Sequence, residues 1–233
     1  MGGFGVLHNR GFLRLWLAQL ISSIGDWLAI LALFSLASFR LQGTPLQVAA
    51  MMIAFVAPVA FIGPLAGVFA DRWDVKRTMI GSDLVRAGLA ALLALATRWH
   101  EIYLLVFALT TVTTFFLPAQ TVAIRLLVVK EDLLAANALN TQSVHLTKIA
   151  GPAAGGALVA WLGERACLVV DAVSFVASAA LLAGLCLVRD RTPGDEGPKP
   201  SFWSEFHAGL RFIAGHREIR LSLIHISEPT RPY

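Results

Sequence analysis

Charge is scarce in this sequence, and two long segments contain none. Charged residues make up 15% of the 233 residues and hydrophobic residues 57%, whereas soluble domains are richer in charge and poorer in apolar residues. Segments 46–70 and 102–124 contain no Asp, Glu, Lys or Arg. A helix of a water-soluble protein needs a polar face, which both segments lack, so the composition argues against a water-soluble helical protein.

Cysteine is nearly absent as well. Cys167 and Cys186 are the two cysteines, and on one helix they lie roughly 28 Å apart at about 1.5 Å per residue. That separation excludes a disulfide between them and a shared metal ion. We predict no metal and no cofactor, and we expect no cleavable signal peptide, because the first apolar run is too long and lacks a small-residue cleavage site.

Apolar segments of membrane length, by contrast, are abundant. Each is long enough to cross a bilayer core of about 30 Å at about 1.5 Å per residue. They cover residues 15–39, 46–70, 79–97, 102–124, 144–162 and 166–188. We therefore predict an all-α membrane protein in which residues 1–188 form a bundle of six transmembrane helices in contact with membrane lipid.

The placement of Lys and Arg predicts the orientation of this bundle. If the N-terminus is cytoplasmic, thirteen Lys and Arg residues lie in inside segments and three, Arg40, Arg98 and Arg165, in outside loops. This asymmetry favours a cytoplasmic N-terminus. It also explains the net charge of +4 without a nucleic-acid partner, because the cations flank helices and form no single patch.

Two further segments follow the bundle. Residues 189–220 begin with RDRTPGDEGPKP, a charged stretch rich in Pro and Gly, and continue into a short amphipathic pattern. They predict a cytoplasmic linker with a helix at the membrane surface, or alternatively a solvated linker helix. The first eleven residues of 221–233, LSLIHISEPTR, look like the translation of a sequencing-library transposon adapter. We expect residues 221–233 to be an artefact and the natural sequence to be visible only to about Arg220.

A short echo suggests an internal repeat. Gly63-Pro64-Leu65-Ala66-Gly67 in the second segment recurs as Gly151-Pro152-Ala153-Ala154-Gly155 in the fifth. The second and fifth helices correspond if the six helices form two inverted groups of three. The two runs, however, lie at different points along the predicted segments 46–70 and 144–162.

Charged residues inside the predicted helices are candidates for coupling or substrate contact, since each costs about 2.5–3.5 kcal/mol at the centre of a membrane helix. Asp26 lies near mid-depth and is the first candidate, with a packing role as the alternative. Asp83 and Arg86 are three residues apart on one helical face and are expected to pair with each other. Asp171 is expected near the outer end of helix six, and Lys148 near the inner end of helix five.

The loop after the second segment holds five charges within seven residues, namely Asp71, Arg72, Asp74, Lys76 and Arg77. Before it, Gly63 and Gly67 form a small-xxx-small step that permits close helix approach. Asp71 would accept hydrogen bonds from the N-terminus of another helix. We predict a gating latch here; the alternative is a solvated turn whose cations only fix the topology.

The stretch GVFADRWDVKR, residues 67–77, resembles the loop between helices two and three of the major facilitator superfamily. Gly67, Asp71, Arg72 and Lys76 match the pattern G-x-L-a-D-r-x-G-r-k, as does Ala70. Asp74 stands in place of the usual Gly, Val75 in place of Arg, and Phe69 in place of Leu. The Asp resembles the bacterial branch that includes the enterobactin exporter and macrolide efflux proteins.

Other stretches resemble the same branch. KIAGPAAGGAL, residues 148–158, is similar to the Gly-Pro motif of helix five in drug–proton antiporters, in which Gly151, Pro152, Gly155 and Gly156 are the motif residues. Pro152 removes one backbone hydrogen bond and allows the helix to bend. Residues 9–28 and 131–140 resemble the branch's first helix and the loop between its helices four and five.

The resemblance implies the N-terminal half of a twelve-helix exporter in the bacterial inner membrane. Such a transporter exports a small molecule (of the drug, macrolide or siderophore class) in exchange for protons, by alternating access between two halves. This chain would then need a second six-helix half as its partner. A lysophospholipid transporter of the same fold is an alternative. A six-helix membrane enzyme is another, but we find neither a Gly-x-Ser-x nucleophile nor paired carboxylates with His at facing depths, so no enzyme is predicted.

Overall fold

The computed structural model describes residues 5–70 and 73–187, except for the side chains of residues 68–70. All regular secondary structure in this part is helical. The long helices are α1 (Arg10–Ser35), α2 (Pro45–Ala70), α3 (Val75–Leu95), α4 (Trp99–Leu127), α5 (Leu133–Leu162) and α6 (Glu164–Ala183). The prediction of six long helices is confirmed. Asp71, Arg72, the linker 189–220 and the tail 221–233 lie outside the described residues.

Five of these helices are long and apolar enough to cross a membrane, judged by length and composition: α1, α2, α3, α4 and α6. α5 is the longest, with 30 residues, but its first half is polar. It begins at Leu133, eleven residues before the predicted start at residue 144. Its polar side chains meet neighbouring helices, because Trp16 Nε1 donates to Ser143 Oγ at 2.8 Å and Gln120 Nε2 to Asn140 Oδ1 at 3.3 Å.

The six helices form two related groups of three in chain order, α1–α3 and α4–α6. α1 packs against α5 and α6 of the second group, and α4 packs in the same way against α2 and α3 of the first group. If each helix of one group is exchanged with its counterpart in the other, the contacts of α1 become those of α4, and the α3–α6 contact is unchanged. Because each group holds an odd number of helices joined by short loops, the two groups run in opposite directions. The contacts therefore match the predicted pair of inverted repeats.

The Gly-Pro steps occupy equivalent positions in the two groups. Gly63 follows the first residue of α2, Pro45, by eighteen positions, and Gly151 follows the first residue of α5, Leu133, by eighteen positions. The expectation that the steps lie at different points of their helices is wrong. It failed because the polar first half of α5 concealed where that helix begins.

The bundle core has apolar layers towards both ends. We call the end where α1, α3 and α5 begin the near end, and the opposite end the far end. Leu28, Leu33 and Ile102 belong to the far layer, and Phe12, Leu15 and Leu182 to the near layer; all six are at least 96% buried. The charged side chains inside the bundle lie between these layers.

Polar contacts tie α1 and α3 to the ends of other helices. At the near end, Asn9 caps α1 and donates from Nδ2 to the carbonyl of Leu127 at 2.6 Å. Arg14 donates to the carbonyl of Gly184, and Lys76 Nζ to that of Leu185 at 2.7 Å. Cations at the C-terminus of a helix are favourable because they meet unpaired carbonyls and the negative end of the helix dipole. These contacts fix the C-terminus of α6 against α1 and α3.

Candidate functional site

Four of the five charged residues predicted inside the membrane come together between the two apolar layers. Asp26 comes from α1, Asp83 and Arg86 from α3, and Asp171 from α6. Packing of α6 against both α1 and α3 brings them together. We call these four residues the charge cluster. It contains three carboxyl groups and one guanidinium group, so it carries two excess negative charges when all three carboxyl groups are ionised.

Asp83 and Arg86 form the ion pair that their spacing predicts. Arg86 Nη2 contacts Asp83 Oδ1, and the side chains are 3% and 0% exposed, respectively. Ser178 on α6 donates from Oγ to Asp83 Oδ2 at 2.6 Å. The Arg86 guanidinium also lies 4.4 Å from the ring centroids of both Phe116 and Phe175, where the ring faces attract the cation. The pair is thus held by an ion contact, a hydrogen bond and two aromatic rings.

Asp171 is the eighth of the twenty residues of α6, in the half of the helix nearer the far end, and it is buried in the bundle. Its side chain is 0% exposed, and neither carboxylate oxygen has a hydrogen-bond partner among the described residues. Ser174, one turn along α6, donates instead to the backbone carbonyl of Asp171 at 2.8 Å. The sequence did not predict that Asp171 lies against α1. A Cβ atom at Gly25 of α1 would lie 2.6 Å from Asp171 Oδ1, so the two helices approach closely at this point.

Asp26 and Asp171 border a common cavity of about 230 Å³. Its other lining residues are apolar, apart from Thr110 and Thr113 of α4. The cavity is smaller than the roughly 300–1,000 Å³ of pockets for drug-sized ligands, but it has room for several water molecules. The two carboxyl groups therefore face a small space suited to water and protons.

No expectation from the sequence placed Asp26 and Asp171 beside one cavity. Asp26 and Asp171 are 145 positions apart along the chain, and only the contact of α1 with α6 brings them to one cavity.

Lys148 lies apart from the charge cluster. It is exposed, and because α5 begins at Leu133 it occupies the middle of that helix. The expectation that it lies near the inner end of helix five is therefore wrong. A long apolar stem with a charged head is tolerated at such a position when the head faces water or a partner.

The loop motif at the near end is described only in part. Asp74 caps the N-terminus of α3, because its Oδ1 accepts from the backbone N–H of Arg77 at 2.7 Å. Asp is a favourable N-cap, which gives the Asp in place of the usual Gly a local role. Lys76 binds the C-terminus of α6, and Arg77 is exposed. A Cβ atom at Gly67 would meet no described atom within 4 Å, so the expected close approach at this glycine is not made by any residue that the structure describes.

The helix-five motif makes the close approach instead. A Cβ atom at Gly151 would lie 2.5 Å from Cγ of Trp27, and one at Gly155 would lie 2.6 Å from Cδ1 of Leu31. These two glycines let α5 pack closely on α1 at Trp27 and Leu31, which follow Asp26 by one and five residues. The other two motif residues, Pro152 and Gly156, are exposed.

A single added methyl group should disrupt this packing. We expect Gly151→Ala to lower the free energy of unfolding by about 1–3 kcal/mol, because the new Cβ atom overlaps the rigid base of the Trp27 side chain. Gly156→Ala is the matched control on the same helix; a Cβ atom there meets no described atom within 4 Å. It should stabilise the helix by up to about 1 kcal/mol. Denaturant titration of the purified chain in detergent measures both, and equal effects would contradict the assignment.

Several residues of the site were missed from the sequence. Ser174 and Ser178 follow Asp171 by three and seven residues, a spacing that places them on the same helical face and could have indicated a polar stripe. Gly25, Phe116 and Phe175 gave no local signal, because glycine and phenylalanine are common in apolar segments. Their roles depend on contacts between α1, α3, α4 and α6.

The sequence is similar to a family model and to several curated bacterial proteins. The family model described as "Transmembrane secretion effector" matches residues 1–227. The MFS-type transporter YfiS of Bacillus subtilis (strain 168) is 31% identical over 210 residues, covering 88% of this chain and 50% of the relative. Macrolide efflux protein A of Streptococcus pyogenes is 25% identical over 209 residues, covering 87% of this chain and 51% of the relative. The chain thus spans about half the length of these curated relatives. No solved structure gives a significant match.

Proposed function

Because this chain belongs to the transmembrane secretion effector family of the major facilitator superfamily, we propose that it forms the N-terminal half of a bacterial exporter that exchanges a small molecule for protons. In this proposal a second six-helix half completes the transporter. Alternating access then rocks one half against the other around a substrate site between them. Family membership points to a transporter rather than an enzyme.

The charge cluster is the observation that carries the proton-coupling proposal. Asp83 and Asp171 are buried and Asp26 is partly buried around one guanidinium, and charged groups inside a membrane protein are costly, which favours a functional role for them. Protonation is the simplest way to balance the excess negative charge, and the adjoining cavity has space for water but not for a drug-sized molecule. The cluster therefore suits an ion site inside one half, separate from the substrate site between the halves.

The proposed substrate class is a drug, macrolide or siderophore. The similarity to macrolide efflux protein A supports an exported molecule of moderate size. If the complete transporter moved a lysophospholipid instead, the substrate part of the proposal would be wrong while the family membership would stand.

The near end is the proposed cytoplasmic face of the inner membrane. Arg10, Arg14, Lys76 and Arg77 lie at this end of the bundle, as the excess of cations on the cytoplasmic side requires. From the resemblance of the loop to the superfamily motif, we propose that Asp71 and Arg72 act on the second half and that Asp71 latches the closed state of the cytoplasmic face. Asp74 and Lys76 hold the start of α3 and the end of α6.

The experiment that tests the function starts from the source DNA. A long sequencing read across codon 220 supplies the complete gene, and everted membrane vesicles containing its product are assayed for uptake of a panel of macrolides and siderophores. We expect accumulation that depends on an imposed proton gradient and stops when a protonophore collapses it. Accumulation that persists without the gradient would contradict proton exchange.

Residues 1–220 alone should not transport. The inner face of the substrate site would be open to lipid on the side where the second half belongs, so no closed pathway exists. Vesicles containing this fragment should show no uptake above empty vesicles, whereas the complete protein, expressed to the same level, should. Gradient-driven uptake by the fragment would overturn the proposal that a second half is required.

A further inference from the structure

Asp171 is the buried charged residue whose surroundings satisfy it least. It is 0% exposed, and both carboxylate oxygens lack a hydrogen-bond partner among the described residues. An ionised carboxylate in this position would receive no hydrogen bond from the described residues, since the nearby Ser174 hydroxyl donates to the backbone carbonyl of Asp171, and this is unfavourable. The side chain nevertheless borders the cavity that it shares with Asp26, so water in that cavity gives a proton a route to it.

The charges around Asp171 leave it without a cation of its own. From α1 it faces Asp26, and from α3 it faces Arg86. Arg86 contacts Asp83 through Nη2 and lies beside two phenylalanine rings, while its Nε has no hydrogen-bond partner among the described residues. α5 packs lightly against α6, and its His145 and Lys148 are both exposed.

We propose that Asp26 and Asp171 share one exchangeable proton and that this pair, rather than Asp26 alone, is the proton-binding site. Two neighbouring carboxyl groups in a water-poor site cannot readily both ionise, so a proton is retained by the pair and belongs to neither residue alone. Asp83 is not included in this pair, because its carboxyl group already contacts Arg86 and accepts a hydrogen bond from the Ser178 hydroxyl. The role of the pair in transport rests on the proposed function; the existence of the pair does not.

Sharing a proton links the protonation state to the packing of α1 on α6. Gly25, the residue before Asp26, lets the two helices approach closely at Asp171 and Ser174. Loss of the proton would place two negative charges across this contact and push the helices apart. Binding of the proton would allow them to close again.

The stability of the purified 233-residue chain in lipid nanodiscs tests the pair without any transport assay. The thermal midpoint is measured at acid and alkaline pH for wild type, Asp26→Asn, Asp171→Asn and the double variant. Asn has the shape of a protonated Asp, so we expect similar midpoints at acid pH. At alkaline pH each single variant should melt higher than wild type by roughly 2–4 °C or more, because either substitution removes the repulsion.

The double variant is the decisive comparison. If the proton is shared, its gain at alkaline pH should not exceed that of the better single variant, because the repulsion can be removed only once. Additive gains, or a gain for Asp171→Asn without one for Asp26→Asn, would overturn the shared proton. Asp74→Asn is the control, since Asn caps a helix as well as Asp does and Asp74 is exposed at the near end; it should follow wild type at both pH values.

Infrared spectroscopy supplies a second measurement on the same samples. Wild type at neutral pH should show the C=O stretch of a protonated carboxyl group that disappears at alkaline pH, and the double variant should lack it. Absence of this band in wild type would overturn the proposal even if the variants did not fold. If the band and the stability pattern are found but uptake by the complete transporter is independent of the proton gradient, the proposed function fails and the carboxyl pair stands.

Discussion

Replacing Arg86 by methionine is expected to lower the free energy of unfolding by about 3–5 kcal/mol, the usual cost of removing one partner from a buried ion pair. The side chain is 3% exposed and is the cation of a cluster with three carboxyl groups. Methionine fills a similar volume between Phe116 and Phe175, so the loss would come from charge rather than from a cavity. Asp83 would keep the hydrogen bond from Ser178 but lose its counter-charge.

Denaturant unfolding of the purified chain in detergent, followed by tryptophan fluorescence, measures this loss. Lys148→Met is the matched control, because it removes an exposed cation from the middle of another helix; its effect should stay within about 0.5 kcal/mol. The double variant Asp83→Leu/Arg86→Met should recover much of the stability, since it removes both buried charges. Equal losses for Arg86→Met and Lys148→Met would contradict the role of Arg86 in the cluster.

Replacing Asp26 by asparagine in the complete transporter should abolish transport driven by the proton gradient, with uptake reduced at least about tenfold, which corresponds to about 1.4 kcal/mol. Asparagine keeps the shape of the side chain and its place beside the cavity, but it cannot bind and release a proton. Movement of substrate down its own concentration gradient should survive, because that step needs the conformational change and not the proton cycle.

Everted vesicles allow two modes of transport to be measured on one preparation: uptake driven by the proton gradient, and movement of substrate down its own concentration gradient. Asp26→Glu should retain part of the gradient-driven uptake, because the carboxyl group is preserved. Glu131→Gln removes an exposed carboxyl group at the turn between α4 and α5 and should leave both modes unchanged. Loss of both modes in Asp26→Asn would assign Asp26 a structural role or a substrate contact, against a role in coupling.

The sequence was sufficient for features that depend on local pattern. Segments without charge predicted α2 and α4 to within a few residues, because an uninterrupted apolar run has one stable form in a bilayer. The three-residue spacing predicted the Asp83–Arg86 pair, because residues three apart on a helix are neighbours. The loop at residues 67–77 indicated the superfamily, since its charges and glycine recur in a fixed order.

Features that depend on which helices pack together could not be obtained in this way. Asp26 and Asp171 belong to helices at opposite ends of the sequence, and no local pattern states that α1 contacts α6. The start of α5 was missed because its polar residues bind side chains of α1 and α4, whereas a hydropathy pattern treats polar residues as outside the membrane. Where a helix was apolar throughout, the position of a residue along it could be predicted from the sequence. The neighbouring helices against which it packs could not.

The attachment of α2 has a consequence for the fate of the chain in a cell. α2 packs mainly against α4. Of the most apolar stretch of α2, 17% is buried in the bundle, compared with 50% of the corresponding stretch of α6. Apolar side chains such as Ile53, Val56 and Phe61 face outward, where lipid satisfies them but holds them in no fixed position. In a membrane that contains this chain alone, α2 would therefore separate from the bundle more easily than α6, whose C-terminus is tied to α1 and α3. A protease that extracts loosely held helices would reach α2 before α6.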